Sequence, residues 1–181
     1  MRGRFGRPYL YSEATPSTQR LLDETHSEGA VALTEEQTEG RGRLGRHWHS
    51  PSGVSLLFSI LLEPDVETPR LPELSLVAGQ AVAAALAAIS GVKPDIKLPN
   101  DVLVSGRKVA GILAEARDGR VILGIGVNVN VPKTALPTEV GLPATSLLVE
   151  TGNEVDRAEL LAGILERLEL AYDDWLRATG G

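Results

Sequence analysis

The feature that most constrains the fold is a nearly continuous apolar run, VSLLFSILL, from Val54 to Leu62. Pro51-Ser52-Gly53 precedes this run and Pro64 follows it. A short apolar run bounded by turn residues is typical of a strand that is buried on both faces. We therefore predict a central β-strand at this position.

The rest of the chain predicts more strands, joined by hairpins, and helices packed on them. Ser105-Gly106 and Asp118-Gly119 are typical hairpin turns, and hairpins join antiparallel strands. The predicted strands are Tyr9 to Ser12, Gly29 to Thr34, Val54 to Leu62, Asp95 to Lys97, Asp101 to Val104, Lys108 to Glu115 and Val121 to Asn130. The predicted helices run from Thr15, as N-cap, to about Glu24, from Leu71 to Ile89, and from about Asp156 to near the C-terminus, with loops at 35–50 and 132–143. The predicted fold class is α+β: a mixed, mostly antiparallel β-sheet backed by helices, in a single domain over residues 1–181.

Composition excludes several classes of protein. The chain has 181 residues, of which 43% are hydrophobic, and this is an ordinary globular composition. The net charge of −6 argues against a protein that coats DNA or an anionic membrane. Because there is no cysteine, a disulfide scaffold, a thiolate zinc site and a cysteine nucleophile are excluded. We find no apolar run of the roughly 18 residues that span a bilayer, and no signal-peptide core, so we expect a cytoplasmic location.

A glycine- and arginine-rich segment, Gly40 to Arg46 (GRGRLGR), follows the second predicted strand. It contains G-x-G-x-x-G, but polar residues surround it, and the strand and helix of a dinucleotide-binding fold are missing. Its glycines allow the backbone to close over a ligand, while its three arginines present forked donors to phosphate. A solvated surface loop is the alternative, and we favour an anion-binding loop.

Two further features indicate a pocket on the later strands. Arg107-Lys108 stands directly before an apolar strand, where cations are unusual, so we expect one of the two to face a site. Gly111, Gly124 and Gly126 lie within neighbouring predicted strands. Glycine inside a strand marks either a bulge or the close approach of another group, and three together favour a ligand pocket.

Taken in order, these segments closely resemble biotin protein ligase, and the resemblance extends from about Tyr9 onward. The segments that carry it are Pro16-Ser17-Thr18-Gln19, Glu36-Gln37, Gly40-Arg41-Gly42-Arg43-Leu44-Gly45-Arg46-His47-Trp48, Lys97-Leu98-Pro99-Asn100-Asp101, Arg107-Lys108-Val109-Ala110-Gly111-Ile112-Leu113 and Gly124-Ile125-Gly126-Val127-Asn128. The resemblance implies a catalytic domain related to class II aminoacyl-tRNA synthetases and lipoate ligases.

The implied activity is that of a biotin–[acetyl-CoA-carboxylase] ligase, with ATP and Mg²⁺. Biotin and ATP give biotinyl-5′-AMP and pyrophosphate, and biotin then passes to a lysine of a biotin carboxyl carrier protein. This chemistry needs no enzyme nucleophile. It requires that two anions be held together and that charge growing on the phosphate be stabilised.

The resemblance also implies three sets of site residues. The biotin-binding set is Ser17, Thr18, Gln19, Gln37, Gly40, Arg41, Gly42, Lys108, Gly111, Leu113 and Gly124. The ATP- or adenylate-binding set is Arg43, Arg46, Trp48, Asn100 and Asn128, and the catalytic residues are Lys108, Arg43 and Arg46. Asp101 is the implied metal contact, since magnesium prefers carboxylate oxygen. Residues 39–48 are expected to close as a lid.

The sequence departs from the family pattern at Leu98, where tryptophan is usual, and at Gln19, where asparagine is usual. The matched segments also lead us to expect neither the helix-turn-helix module of some relatives nor the small C-terminal β-barrel of the family. We therefore expect no DNA binding, while the charge and the apolar pattern lead us to expect no membrane binding, and a homodimer stays open. Two alternatives remain: a lipoate- or octanoate-type ligase on the same fold, and a protein that binds biotin or biotinyl-adenylate without transferring it.

Overall fold

A seven-stranded sheet forms the centre of the protein, in a computed structural model that describes residues 3–138 and 142–180. The strands are β1 (Tyr9–Thr15), β2 (Val31–Gln37), β3 (Ser55–Leu62), β4 (Pro94–Lys97), β5 (Asp101–Val104), β6 (Arg107–Arg117) and β7 (Arg120–Asn128). Their order across the sheet is β1-β2-β3-β7-β6-β5-β4. The pair β1 and β2 is parallel and the other described pairs are antiparallel, so the predicted mixed, mostly antiparallel sheet is confirmed.

Strand β3 is central, as the apolar run predicts, and all of its residues are buried. It pairs with β2 on one side and with β7 on the other. Because side chains alternate along a strand, Leu56, Phe58 and Ile60 enter the main core, while Leu57 and Ser59 face the opposite side of the sheet. The two faces of the sheet therefore have different neighbours.

Two long helices cover the first face of the sheet. They are α1 (Glu73–Ser90) and α3 (Arg157–Thr179), and a short helix, α2 (Leu147–Thr151), lies between them in the chain. Helices α1 and α3 pack against each other, and both contribute buried residues to the main core. Asp156 starts α3 by accepting hydrogen bonds from the N–H groups of Ala158 and Glu159.

One segment within the described residues, Thr68–Ser90, is long and apolar enough to cross a membrane by length and composition alone. The expectation that no apolar run reaches that length is therefore wrong for this segment. In the structure the segment contains α1, whose Leu74, Ala78 and Leu86 are fully buried in the main core.

The predicted helix from Thr15 to about Glu24 is wrong. Strand β1 continues to Thr15, which pairs with Gln37 of β2, and only a single 3₁₀ turn, Thr18–Leu21, follows it. The turn ends because Leu22 is already extended and is buried against the second face of the sheet. Tertiary contacts with the sheet therefore override the helical signal.

The other differences concern the bounds of elements. Strand β2 extends into the predicted loop at 35–50, and β7 ends two residues before the predicted Asn130. Short helix α2 was not predicted. Of the predicted loop at 132–143, residues 139–141 lie outside the described residues, and Lys133–Ala135 forms a 3₁₀ turn. Both hairpin turns are confirmed, since Ser105 and Asp118 have positive φ angles of 52° and 48°.

Phe5 ties the N-terminal segment to α3. Its buried ring lies 5.9 Å from the ring of Tyr172, and the Arg4 guanidinium lies 5.0 Å from the Phe5 ring. We expect Phe5→Ala to lower the free energy of unfolding by about 3–5 kcal/mol, because a buried aromatic side chain leaves a cavity. Urea denaturation measures this change. Tyr11→Ala, which removes an exposed ring, should cost about 0.5 kcal/mol or less, and equal losses in the two variants would contradict the assignment.

Candidate active site

A pocket of about 140 Å³ lies on the sheet face that carries Ser59, opposite α1 and α3. Every predicted site residue except Gly40 lines this pocket. The predicted residues that it brings together are Ser17, Thr18, Gln19, Gln37, Arg41, Gly42, Arg43, Arg46, Trp48, Asn100, Asp101, Lys108, Gly111, Leu113, Gly124 and Asn128. These residues are far apart in sequence, so their convergence is a result of the fold.

One corner of the pocket is polar and uncharged. Gln37 Oε1 accepts hydrogen bonds from the backbone N–H of Thr18 (2.9 Å) and from its hydroxyl (3.3 Å). Thr18 Oγ1 also lies 2.7 Å from the hydroxyl oxygen of Ser59, a fully buried residue of β3. Hydroxyl and amide groups both donate and accept, so this corner suits a polar head without net charge. Ser59 was not predicted; its signal is a serine in the middle of an apolar run.

Gln19 lines the pocket beside this polar corner and is bonded to the sheet. Its side-chain amide donates to the carbonyl oxygens of Leu113 (3.2 Å) and Ile122 (3.3 Å), which belong to β6 and β7. A Cβ atom at Gly124 would lie 3.2 Å from Gln19 Nε2, so a glycine gives the longer glutamine its space. The departure from asparagine at position 19 is thus accommodated by contacts across two strands.

The predicted lid, residues 39–48, contains a small hairpin from Gly40 to Trp48. The backbone N–H of Trp48 donates to the backbone carbonyl oxygen of Gly40 at 2.9 Å, and the backbone N–H of Gly42 donates to that of Arg46 at 2.7 Å. A Cβ atom at Gly40 would lie 2.2 Å from Trp48 O, so only glycine permits this closure. The structure places Gly40 at the base of the hairpin rather than in the pocket lining, and its role in binding biotin stays a prediction.

The lid brings positive charge to the pocket. Arg41 Nη2 lies 2.9 Å from Glu115 Oε2 and 3.3 Å from Gln19 Oε1, which attaches the hairpin to β6 and to the Thr18–Leu21 turn. Arg43 and Arg46 also line the pocket, and no ion pair joins either of them to an acid within residues 3–138 and 142–180. Two guanidinium groups without a carboxylate partner favour the binding of an anion.

Trp48 lies on a floor made by two glycines. Gly111 of β6 and Gly126 of β7 are directly paired across the strands. A Cβ atom at Gly126 would lie 2.6 Å from the Trp48 ring, and one at Gly111 would lie 3.0 Å from it. The indole N–H is buried and has no hydrogen-bond partner in this arrangement. The close-approach interpretation of the strand glycines is therefore the one that fits.

A β-bulge turns Lys108 towards the pocket. Val102 pairs with Ala110 and Leu103 pairs with Lys108, so the residue between them, Val109, has no partner on β5. Val109 and Ala110 both enter the core, and the alternation of faces shifts by one residue. Without this extra residue Lys108 would point to the core face. Of the two cations singled out from the sequence, Lys108 lines the pocket and Arg107 pairs with Glu150 instead.

Lys108 and Asp101 form a close ion pair at the cationic end of the pocket. Lys108 Nζ lies 2.6 Å from Asp101 Oδ1 and 5.6 Å from the centre of the Trp48 ring. Asp101 Oδ1 is buried, and the Lys108 ammonium compensates its charge. Nearby, Asn100 Nδ2 donates to Ile112 O, and Asn128 Nδ2 donates to Thr145 O, which leaves the two side-chain carbonyl oxygens as acceptors.

Several lining residues were not predicted as site residues. They are His47, His49, Phe58, Ile112, Ile125, Pro137, Leu142 and Ala144, whereas Gly126 was predicted to lie at a ligand pocket without an assigned role. The histidines flank Trp48, and the lining strand residues are neighbours of predicted ones, so their positions could have been read from the motifs. The last three come from the chain after β7, and no local sequence signal shows that this segment returns to the pocket.

Comparison with known proteins agrees with this arrangement. The biotin/lipoate A/B protein ligase family matches residues 11–131. The bifunctional ligase/repressor BirA of Bacillus spizizenii is 38% identical over 180 residues, which cover 94% of this chain and 55% of the relative. The biotin–[acetyl-CoA-carboxylase] ligase of Mycobacterium tuberculosis is 39% identical over 156 residues, which cover 84% of this chain and 57% of the relative. The chain thus spans about half the length of the curated relatives it matches.

A solved structure supports the same conclusion. The biotin protein ligase from Aquifex aeolicus, in complex with biotin and ATP, has a TM-score of 0.84 and 38% identity; the match covers 93% of this chain and 71% of that one. The fold, the order of the motifs and the family match agree. This chain belongs to the biotin/lipoate A/B protein ligase family, and within it to the biotin protein ligases.

Proposed function

We propose that this chain activates biotin with ATP to biotinyl-5′-AMP and transfers the biotin to a lysine of a biotin carboxyl carrier protein. The observation that carries the proposal is the layout of the pocket: a polar, uncharged corner at Thr18 and Gln37 and a cationic end at Lys108. Biotin has the same polarity, with a neutral ureido head and a carboxylate at the end of its chain. The Aquifex aeolicus ligase, which is similar over most of this chain, is described with both biotin and ATP bound.

In the first half-reaction a biotin carboxylate oxygen attacks the α-phosphate of ATP. A carboxyl–phosphate bond forms, the bond to the bridging oxygen breaks, and pyrophosphate leaves. Lys108, on the pocket floor, neutralises the carboxylate and the developing charge on the phosphate, while Arg43 and Arg46 cover the phosphates from the lid. The enzyme supplies position and charge, and no side chain acts as a nucleophile.

The adenine end of ATP meets Trp48 and Asn128. The Trp48 indole offers an aromatic face to the pocket, and Asn128 keeps a carbonyl oxygen as an acceptor. Asn100 offers a similar oxygen near the phosphates. These groups recognise a planar base through stacking and hydrogen bonds.

Magnesium fits the carboxylate of Asp101, although in the described ranges no three His, Cys, Asp or Glu side chains gather into a metal site. Asp101 Oδ1 is a buried carboxylate oxygen that the Lys108 ammonium contacts at 2.6 Å, and a carboxylate oxygen suits a hard cation. Magnesium is often held by one carboxylate together with substrate phosphates, and it would neutralise phosphate charge there. Asp101 would be the residue that holds it, and Lys108 would then be released towards the substrate carboxylate.

In the second half-reaction a neutral lysine amine of the carrier attacks the biotinyl carbonyl. The amide bond forms, AMP leaves, and the amine loses a proton. Because the free lysine pKa is near 10.4, this half-reaction should be faster at mildly alkaline pH. The carrier, the cytoplasmic location, the lack of DNA binding and a homodimer stay predictions, and the Bacillus relatives are named ligase/repressors.

Arg43→Gly should weaken retention of biotinyl-5′-AMP, because it removes a cation that faces the phosphate from the lid. We expect the released adenylate to label lysines of a bystander such as albumin, with at least about a tenfold rise in biotin on albumin. Streptavidin blotting measures this. Arg117→Gly, at the exposed end of β6, is the control, and unchanged albumin labelling by Arg43→Gly would count against the lid.

The proposed activity is tested by pyrophosphate release with MgATP and, in separate reactions, biotin, lipoate or octanoate. Release that requires biotin supports the proposal. Release with lipoate or octanoate but not biotin would support the lipoate-type alternative. Measurable biotin binding without release for any acid would favour the protein that binds biotin without transferring it.

A further inference from the structure

Glu150 gathers three donors from separate parts of the chain, although it lies outside the pocket lining. Its side chain is only 7% exposed. Arg107 Nη2 lies 2.8 Å from Glu150 Oε1, and the hydroxyls of Thr145 and Ser105 donate to its carboxylate at 2.5 and 3.1 Å. Three charge-assisted contacts on one shielded carboxylate are stronger than an exposed ion pair.

Two of these donors adjoin the backbone of the proposed catalytic lysine. Arg107 precedes Lys108 in β6. Thr145 belongs to the segment 142–146, which lies alongside Lys108 as a short parallel bridge through Ala144. The Lys108 N–H donates to Pro143 O, and the Thr145 N–H donates to Lys108 O, both at 2.8 Å. Glu150 therefore holds both sides of this bridge.

Lys108 needs this support because it stands beside the bulge at Val109. The bulge interrupts regular pairing between β5 and β6 at the position where Lys108 turns to the pocket. The backbone N–H and the carbonyl oxygen of Lys108 form their hydrogen bonds with Pro143 and Thr145 of the segment 142–146. The same segment also accepts a hydrogen bond from the Asn128 amide at Thr145 O, and its Leu142 and Ala144 line the pocket.

We infer that Glu150 is a positioning residue: it clamps the segment 142–146 to β6 and so fixes Lys108 and one pocket wall in their productive places. This inference rests on the proposed activity for its catalytic consequence. It predicts that the Glu150 contacts affect turnover more than binding of biotin, since the polar corner at Thr18 and Gln37 is separate from the clamp.

The test uses the full chain with Glu150→Gln, Thr145→Val and Thr145→Ser, and with Glu154→Gln at an exposed position as the control. Thr145→Val keeps the shape but removes the hydroxyl donor, whereas Thr145→Ser retains it. For each protein we would measure kcat and KM for biotin in pyrophosphate release, the melting temperature, and hydrogen exchange at the Lys108 and Thr145 amides.

We expect Glu150→Gln and Thr145→Val to lower kcat by about tenfold to a hundredfold, since a displacement of about 1 Å costs up to about a hundredfold. The biotin KM should change by less than about threefold, and exchange should quicken at the Lys108 and Thr145 amides before the rest of the sheet. Thr145→Ser and Glu154→Gln should match the wild type.

Other outcomes separate the two proposals. Wild-type kcat and wild-type amide exchange in both Glu150→Gln and Thr145→Val would overturn the positioning role. The positioning role would also be overturned if amide hydrogen exchange rose uniformly across the sheet and kcat fell only in proportion to the fraction of folded protein. If the wild type releases no pyrophosphate, the proposed activity fails, and the exchange measurement still decides whether Glu150 holds the bridge.

Discussion

Lys108→Met lowers the rate of biotin-dependent pyrophosphate release by about a thousandfold, if Lys108 stabilises the charge that develops in the first half-reaction. Removing one preorganised donor from a site of developing charge costs about a hundredfold to a thousandfold in kcat. The loss in kcat on removing Lys108 should lie at the upper end of this range, because Lys108 is proposed to neutralise the substrate carboxylate as well as the phosphate. Methionine keeps most of the side-chain length and removes the charge.

Lys93→Met is the matched control, since Lys93 is exposed between α1 and β4. It should leave the rate within about twofold of the wild type. Lys108→Met also leaves Asp101 without its cation, so the melting temperature must be measured beside the rate. A folded Lys108→Met protein that retains more than about a tenth of the wild-type rate would contradict the assigned role.

Gly126→Ala should lower kcat/KM for ATP by about a hundredfold. A Cβ atom at this position would lie 2.6 Å from the Trp48 ring, so the indole must leave its floor. Trp48 is also the last residue of the lid hairpin and bonds back to Gly40, so its displacement should open the lid. Trp48 fluorescence should shift to longer wavelength as the ring becomes exposed, and isothermal titration with ATP should show weaker binding.

Gly79→Ala is the control for this substitution. A Cβ atom at Gly79, in the middle of α1, would meet one side-chain atom, Ile112 Cδ1, at an ordinary 3.9 Å. Helix propensity favours alanine, so Gly79→Ala should keep or raise stability and leave the ATP parameters unchanged. Wild-type ATP binding and wild-type fluorescence in Gly126→Ala would show that Trp48 does not depend on this floor.

The sheet could be predicted because its signals are local. The apolar run at Val54 to Leu62 has the length and the flanking turn residues of a buried strand, and the turns at Ser105-Gly106 and Asp118-Gly119 have the residue types that their positive φ angles require. The helix from Thr15 was wrong because its decisive contacts, with Gln37 and Ser59, come from elsewhere in the chain. Local propensity has no access to such contacts.

The pocket residues could be predicted where family motifs and chemistry coincide. Lys108 is the clearest case, since a cation at the start of an apolar strand needs a reason. The reason itself, the bulge at Val109, depends on register with β5 and leaves no local mark. Neither Glu150 nor the segment that it clamps was predicted, because an acid on a short helix is common and its three donors come together only after folding.

The proposed activity requires that this pocket make and hold biotinyl-5′-AMP. The most direct test is native mass spectrometry of the chain after incubation with MgATP and an equimolar mixture of biotin and lipoate. The proposed activity predicts that the protein acquires the mass of one biotinyl-5′-AMP, and that Lys108→Met does not. A retained lipoyl-adenylate, or biotin bound alone beside unreacted ATP, would contradict it.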